Sequence, residues 1–88
     1  MNIMNHFHPQ GSILVSCQNP FQNKLVIEFK QIEQNAAIQI CDYLGRIVYQ
    51  SKISNKLVEL NTSEWLNGIY FIELVSDADR KYFKLIKN

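Results

Sequence analysis

The sequence is poor in glycine and proline and carries almost no excess of charge. Three Gly and two Pro in 88 residues exclude a collagen-like or low-complexity chain. Nine basic and eight acidic residues leave a net charge of +1, which argues against a dedicated duplex-DNA binder because such a protein needs a strongly basic surface. Uncharged apolar runs such as Ile69–Ile72 are far too short to span a membrane. Because 47% of the residues are hydrophobic, we expect one small, soluble, globular domain.

The first eleven residues show no hydrophobic period and end in Pro9-Gln10-Gly11. They lack the basic residues and the apolar core of a secretory signal peptide. We therefore interpret residues 1–11 as a flexible leader, linker or tag remnant, and residues 12–88 as one domain excised from a longer protein.

From Ser12 onward, short β-like runs alternate with turn-forming residues. In Lys24–Lys30, apolar side chains recur at every second position, which is typical of a strand with one buried face. Seven runs show this character: Ser12–Cys17, Lys24–Lys30, Asn35–Asp42, Arg46–Ser51, Lys56–Asn61, Ile69–Val75 and Arg80–Lys87. Residues 62–68, between the fifth and sixth runs, are interpreted as a turn or a single helical turn. The pattern predicts an all-β fold, a seven-stranded immunoglobulin-like antiparallel β-sandwich.

The usual immunoglobulin disulfide is not indicated, since Cys17 and Cys41 are only 24 positions apart and the single Trp65 follows both. The sequence leaves open whether Cys17 and Cys41 form a disulfide. We interpret each cysteine as a small apolar residue that packs on or near a strand. A metal site is disfavoured because His6 and His8 lie in the leader and the two cysteines are solitary.

Catalysis is disfavoured for similar reasons. Nucleophilic sets need a rigidly held base, and neither histidine lies in a patterned segment. The eight acidic residues are spread over turns and outward strand positions, and Asp77 and Asp79 alone make a poor calcium loop. No glycine-rich phosphate loop is present. We predict that the protein is not an enzyme and needs no cofactor or metal.

Aromatic and basic residues concentrate in the last two runs. Tyr70-Phe71 and Tyr82-Phe83 are adjacent pairs, so one member of each faces outward, either for cross-strand packing or as a platform for a sugar or a protein. Four of the nine basic residues lie in the last nine positions, at Arg80, Lys81, Lys84 and Lys87. These lysines either protect an edge strand or mark a strand that a partner recognises.

Four blocks in order resemble a known family. They are Asn19-Pro20-Phe21, Asp42–Tyr49, Leu66–Leu74 and the terminal Lys84–Lys87. Together they are similar to the C-terminal sorting domain of cargo proteins of the type IX (Por) secretion system, over about residues 13–88. Gln18 departs from the family, which often has Pro at that position.

The resemblance implies a non-catalytic address label that is fused behind a cargo protein absent from this chain. Cargo of this family enters the periplasm by a separate N-terminal signal, passes the outer-membrane translocon, and reaches the cell surface or the medium. A surface sortase commonly removes the domain. The resemblance thus implies translocon and sortase components as partners, and neither nucleic acid nor a membrane span.

The family motif falls on eight positions of this sequence, which we take as candidate sorting-signal residues: Gly45, Arg46, Gly68, Tyr70, Lys84, Leu85, Ile86 and Lys87. Physically, the two glycines suit turns and Tyr70 suits the core, while Arg46 and the terminal lysines suit direct recognition. We expect the C-terminal strand or its edge to dock by β-augmentation. On this view, removing residues 84–88 abolishes export and largely spares the fold.

Two other functions remain open. One is a carbohydrate- or protein-binding β-sandwich appended to a secreted enzyme or adhesin, in which Trp65 or Phe71 contacts the ligand. The other is a structural spacer. The fold alone does not choose among the three, because sandwiches host unrelated functions.

Overall fold

The computed structural model describes residues 14–17, 20–77 and 79–88, and within them all regular structure is β. The strands are β1 (Leu14–Cys17), β2 (Lys24–Phe29), β3 (Ala37–Asp42), β4 (Ile47–Lys52), β5 (Leu57–Asn61), β6 (Gly68–Val75) and β7 (Arg80–Lys87). They form two antiparallel sheets, ordered β1-β2-β5 and β4-β3-β6-β7. The all-β prediction is confirmed. The predicted leader, with His6 and His8, lies outside the described residues.

The period-two alternation places one face of each long strand in the core. In β2 the side chains of Leu25, Ile27 and Phe29 are buried, and in β3 those of Ile38 and Ile40. Buried residues from both sheets form one apolar cluster: Phe21, Leu25, Ile27, Phe29, Ala36, Ile38, Ile40, Ile53, Tyr70, Ile72, Leu74 and Leu85. The two sheets therefore share a single core, stabilised by the removal of these side chains from water.

The connection between β5 and β6 is a turn and not a helix. The Trp65 N–H donates to the Thr62 carbonyl at 3.0 Å, and the Asn61 carboxamide accepts from Ser63. Thr62 is fully buried, and its hydroxyl donates to the Gln22 carbonyl at 2.7 Å. This buried hydroxyl is satisfied by backbone, as a polar group in a core must be, and it fixes the end of β5 to the segment that precedes β2.

The aromatic pairs of β6 and β7 alternate as predicted. Tyr70 is buried, while Phe71 is 42% exposed and Tyr82 is 64% exposed. Cys41 is a free cysteine on the outer face of β3 and is half-buried. Its possible partner, Cys17, lies in β1, whose side chains are outside the described part of the structure.

Candidate functional site

The eight candidate residues come from three separate segments, and seven of them meet at one end of the four-stranded sheet. We call this region the convergent end. It comprises the β3–β4 turn Asp42–Arg46, the first residues of β6 (Gly68–Tyr70), the last residues of β7 (Leu85–Lys87), and Phe21. The strand register brings them together, since Tyr70 pairs with both Asp42 and Leu85, and Gly68 pairs with Lys87. Lys84 lies one pair further along, opposite Phe71.

The β3–β4 turn is organised by Asp42, a residue that the sequence analysis did not single out. Its Oδ1 accepts backbone N–H bonds from Leu44 and Arg46, both at 2.9 Å, and its Oδ2 accepts from the Arg46 Nε at 2.8 Å. A second pair of bonds joins the backbone of Asp42 to Gly45 and Arg46. An Asp that closes a turn by accepting N–H bonds two and four residues later is a turn signal readable in the sequence.

Electrostatics at Asp42 favour the ionised carboxylate. The residue is only 9% exposed, and this desolvation works to raise its pKa. The hydrogen bonds from Arg46 and Leu44 and the charge of Arg46 outweigh desolvation, so the pKa of Asp42 is lowered. Gly45 completes the turn with a φ of +85°, a region that side chains with a Cβ rarely adopt.

Arg46 presents an exposed guanidinium next to this buried carboxylate. Its side chain is 67% exposed although its Nε is bound to Asp42. The pairing fixes the direction of the guanidinium plane and leaves most of its surface to solvent. Arg46 is therefore the candidate residue whose position best suits contact with a partner.

Tyr70 anchors the start of β6. Its hydroxyl donates to the Leu66 carbonyl, four residues earlier, and its ring contacts Trp65 at 5.2 Å and Phe21 at 6.0 Å between centroids. Burial is the main cause of the raised pKa of Tyr70, and the nearby Asp42 carboxylate adds to it. Tyr70 is a core residue, as predicted, and the partial burial of Trp65 in the same cluster gives that residue a packing role.

Phe21 connects the first block of the sequence to the last. It is fully buried and forms a parallel bridge to Lys87. Its N–H donates to the Ile86 carbonyl and its carbonyl accepts from the Asn88 N–H, both at 2.9 Å. This pairing spans more than sixty residues, so no local period in the sequence indicates it.

The structure bears on two sequence-based expectations for the C-terminal strand. Alternation along β7 places Lys87 on the inner face, 6% exposed, with its Nζ at 3.4 Å from the Asn67 Oδ1, so its side chain has a packing position and not the exposed one expected. Removal of residues 84–88 is expected to destabilise the fold. Leu85 is fully buried in the core, and the deletion also removes both hydrogen bonds to Phe21.

The described residues offer neither a grouping of three or more His, Cys, Asp or Glu that suits a metal ion nor a helix able to cross a membrane. Beside Arg46, between the β3–β4 turn and the β5–β6 connection, lies a groove of about 540 Å³ whose walls include Ile47, Trp65 and Gly68. The groove is open to solvent, and its walls combine apolar side chains with the Asp42–Arg46 pair.

Comparison with known proteins identifies the domain. Residues 19–88 match the family model of the secretion system C-terminal sorting domain. Curated protein sequences give no significant match. The matched range begins with the block that contains Phe21 and includes the whole convergent end. The chain belongs to the family of C-terminal sorting domains of the type IX secretion system, and its function is that of a sorting signal.

Proposed function

We propose that this domain acts without catalysis, as a folded label read by components of the outer-membrane translocon after its cargo has reached the periplasm. A surface sortase then removes it, and the cargo remains at the cell surface or enters the medium. Family membership supports this route. The observation that carries the proposal is the convergence of separate motif blocks on one exposed end of the sheet.

The architecture we propose is a seven-stranded immunoglobulin-like sandwich. The sheet orders β1-β2-β5 and β4-β3-β6-β7 correspond to strands A-B-E and C′-C-F-G of that fold. Tyr70 supports the same assignment, because it lies near the start of the F-like strand and its hydroxyl bonds back to the chain four residues upstream. That contact resembles the tyrosine corner of immunoglobulin-like domains.

Within the eight candidate residues, burial suggests a division of roles. Five of the candidates are either buried or at positive φ, and we assign them to maintaining the conformation of the convergent end. They are Gly45, Gly68, Tyr70, Leu85 and Lys87. The exposed members, Arg46, Lys84 and Ile86, contact the partner. Lys84 and Ile86 project from the same outer face of β7, two residues apart.

Export of a fluorescent protein fused ahead of residues 12–88 tests this division. The fusion carries an inner-membrane signal and is expressed in hosts with and without a working type IX system. The test variant combines Lys84→Ala with Ile86→Ser on β7. Its matched control combines Lys24→Ala with Leu57→Ser, which makes the same changes of charge and polarity at exposed positions of the other sheet.

We expect surface or extracellular fluorescence only in the competent host, with loss of export for the β7 variant and normal export for the control. Circular dichroism of both purified domains checks that each is folded. Retention of the unmodified fusion in the periplasm of both hosts would refute the sorting role for this chain. Normal export of a folded β7 variant would remove Lys84 and Ile86 from the contact surface.

A further inference from the structure

The outer face of the four-stranded sheet carries a row of side chains that crosses all four strands. Gln39 of β3 pairs with Gln50 of β4 on one side and with Glu73 of β6 on the other, and Glu73 pairs with Tyr82 of β7. Along β3 and β6 the neighbours of these residues are buried, so the row points away from the core. Because neighbouring strands lie just under 5 Å apart, the row is about 14 Å long.

Two exposed aromatic side chains lie at the β7 end of this row. Phe71 pairs with Lys84, and Tyr82 stands two residues before Lys84 on the same face of β7, so Phe71 and Tyr82 are diagonal neighbours. The Tyr82 hydroxyl donates to the Glu73 Oε2 at 2.9 Å, which fixes the direction of its ring. Strands β2 and β5 of the other sheet expose no aromatic side chain. The aromatic pair is therefore a feature of this face.

A groove of about 470 Å³ lies beside the row, and its walls include Gln39, Gln50 and Glu73. Ala37 and Val75 also line it, and they pair with each other two residues along from Gln39 and Glu73. Their short side chains leave a depression next to the longer polar ones. The volume of the groove is in the range of small-molecule sites, in which a few convergent polar groups set specificity.

The polar side chains of the row keep unused hydrogen-bonding capacity. Among the described residues, no hydrogen bond engages the Gln50 carboxamide. The Gln39 Nε2 contacts only the Cys41 Sγ, at 3.5 Å, and sulfur is a weak acceptor. Both described contacts of the Glu73 carboxylate use Oε2, so Oε1 keeps its capacity to accept. The groove thus offers both donors and acceptors to a ligand.

The charges and polar groups of the groove indicate the class of ligand. Lys52 is its one cation and Glu73 its one anion, and Glu73 is further offset by the Arg80 Nε at 3.4 Å, so the groove does not select a ligand of one sign. Hydroxyl groups, which both donate and accept, match carboxamides and a carboxylate. The negative face of an aromatic ring attracts polarised C–H groups. A neutral sugar presents hydroxyls at its edge and C–H groups on its faces, whereas an apolar side chain would leave the amides without partners.

We propose that this row binds a neutral oligosaccharide that lies across the strands. Gln39, Gln50 and Glu73 bond to its hydroxyls, while Tyr82 and Phe71 pack against the face of a sugar ring. The proposal goes beyond the sorting function, because none of these five residues belongs to the convergent end.

Nuclear magnetic resonance of the full ¹⁵N-labelled chain tests the proposal directly, since the side-chain amides of Gln39 and Gln50 give their own signals. The probes are the β-1,4-linked hexasaccharides of glucose, mannose and xylose, and sorbitol is the control that carries hydroxyls without a sugar ring. We expect at least one hexasaccharide to shift both side-chain signals in a saturable way and sorbitol to shift neither. The absence of such shifts with all three, or saturable shifts centred on the groove beside Arg46, would overturn the proposal.

Aromatic substitutions test the packing against a sugar ring. Tyr82→Ala removes the ring and should weaken binding of the responding hexasaccharide about tenfold. Tyr82→Phe keeps the ring and should retain most of the affinity. The matched control is Tyr43→Ala, because Tyr43 is as exposed as Tyr82 but lies in the β3–β4 turn. An equal loss of affinity for Tyr43→Ala and Tyr82→Ala would contradict a site on this row.

Amide substitutions test the hydrogen bonds. Gln39→Ala and Gln50→Ala should each weaken binding about three- to tenfold, because each removes a donor and an acceptor. Gln31→Ala, at an exposed glutamine outside the row, should bind normally. Circular dichroism checks that each variant is folded, and the exposed position of Gln50 on an edge strand keeps this test available where another variant unfolds. Unchanged affinity in folded Gln39→Ala and Gln50→Ala would show that the row does not bind the sugar.

Discussion

The two ends of the four-stranded sheet hold their polar side chains in different ways. At the convergent end, Asp42 and Lys87 are at most 9% exposed, and Asp42 is bonded within its own turn. At the far end, around the β6–β7 turn, the ion pairs Arg80–Glu73 and Lys81–Asp79 span 3.4 and 3.3 Å, and three of the four side chains are more than a third exposed. Asp42 and Lys87 at the convergent end are therefore buried parts of the fold, while the ion pairs at the far end lie at the surface.

This difference affects how mutational data on the domain should be interpreted. A substitution at Tyr70, Leu85 or Lys87 alters the shape of the convergent end before it alters any contact with a partner. Loss of export in such a variant therefore reports folding unless stability is measured in parallel. Exposed residues in or next to this region, above all Arg46 and Lys84, report recognition more directly.

The largest effect we expect comes from the core side of β7. Leu85→Ala should lower the free energy of unfolding by about 2–5 kcal/mol, because a fully buried Leu leaves a cavity in a small core. Its neighbour Lys84 projects outward, so Lys84→Ala should change stability by about 0.5 kcal/mol or less. Urea denaturation followed by Trp65 fluorescence measures both. Equal effects at the two positions would mean that the burial pattern of β7 is wrong.

A smaller effect is expected at the β3–β4 turn. Gly45 has a φ of +85°, and nothing lies within 4 Å of where a Cβ would stand, so any cost arises from the backbone alone. Gly45→Ala should destabilise the domain by about 1–2 kcal/mol. Gly45→Asn should cost less, since Asn tolerates positive φ better than Ala. Thermal or chemical unfolding compares the two, and a cost as large for Asn as for Ala would contradict a conformational cause.

Two tyrosine hydroxyls, one at each end of the four-stranded sheet, allow the stability contributions of the two ends to be compared directly. Tyr70→Phe removes the bond from a buried hydroxyl to the Leu66 carbonyl and should cost about 1 kcal/mol. Tyr82→Phe removes a bond of 2.9 Å to the Glu73 carboxylate on the exposed face and should cost about 0–0.5 kcal/mol. The measurement is the difference in unfolding free energy between the two variants. A larger loss of unfolding free energy for Tyr82→Phe than for Tyr70→Phe would mean that the hydroxyl contact at the far end contributes more to stability than the one at the convergent end.

Much of this fold follows from the sequence by local rules. Period-two alternation predicted the buried face of β2 at Leu25, Ile27 and Phe29, and it predicted that one member of the Tyr70-Phe71 pair faces outward. These features are local, because the inner and outer faces of a strand are set by neighbouring residues.

The features that the sequence analysis missed are non-local. The bridge from Phe21 to Lys87 and the position of β4 at a sheet edge depend on which strands pair, and no short-range pattern specifies that. The burial of Lys87 was missed for a different reason. Alternation placed it with Leu85, but its charge suggested solvent, and only the fold shows that Asn67 receives it.

The smallest effect we expect concerns how the stability of the domain decreases at low pH. Because the folded state lowers the pKa of Asp42, the ionised carboxylate stabilises the fold above its unfolded pKa of about 3.9, and this contribution is lost as pH falls through the folded pKa. Asp79 has its pKa lowered too, by the Arg80 N–H and Lys81, but it lies in the exposed far-end turn. Asp42→Asn should therefore flatten the fall in melting temperature below about pH 4 more than Asp79→Asn does. If the two variants flatten this decrease in melting temperature equally, ionisation of the buried Asp42 is no more strongly coupled to folding than ionisation of the exposed Asp79. The two ends of the sheet would then differ in burial but not in how their carboxylates affect stability.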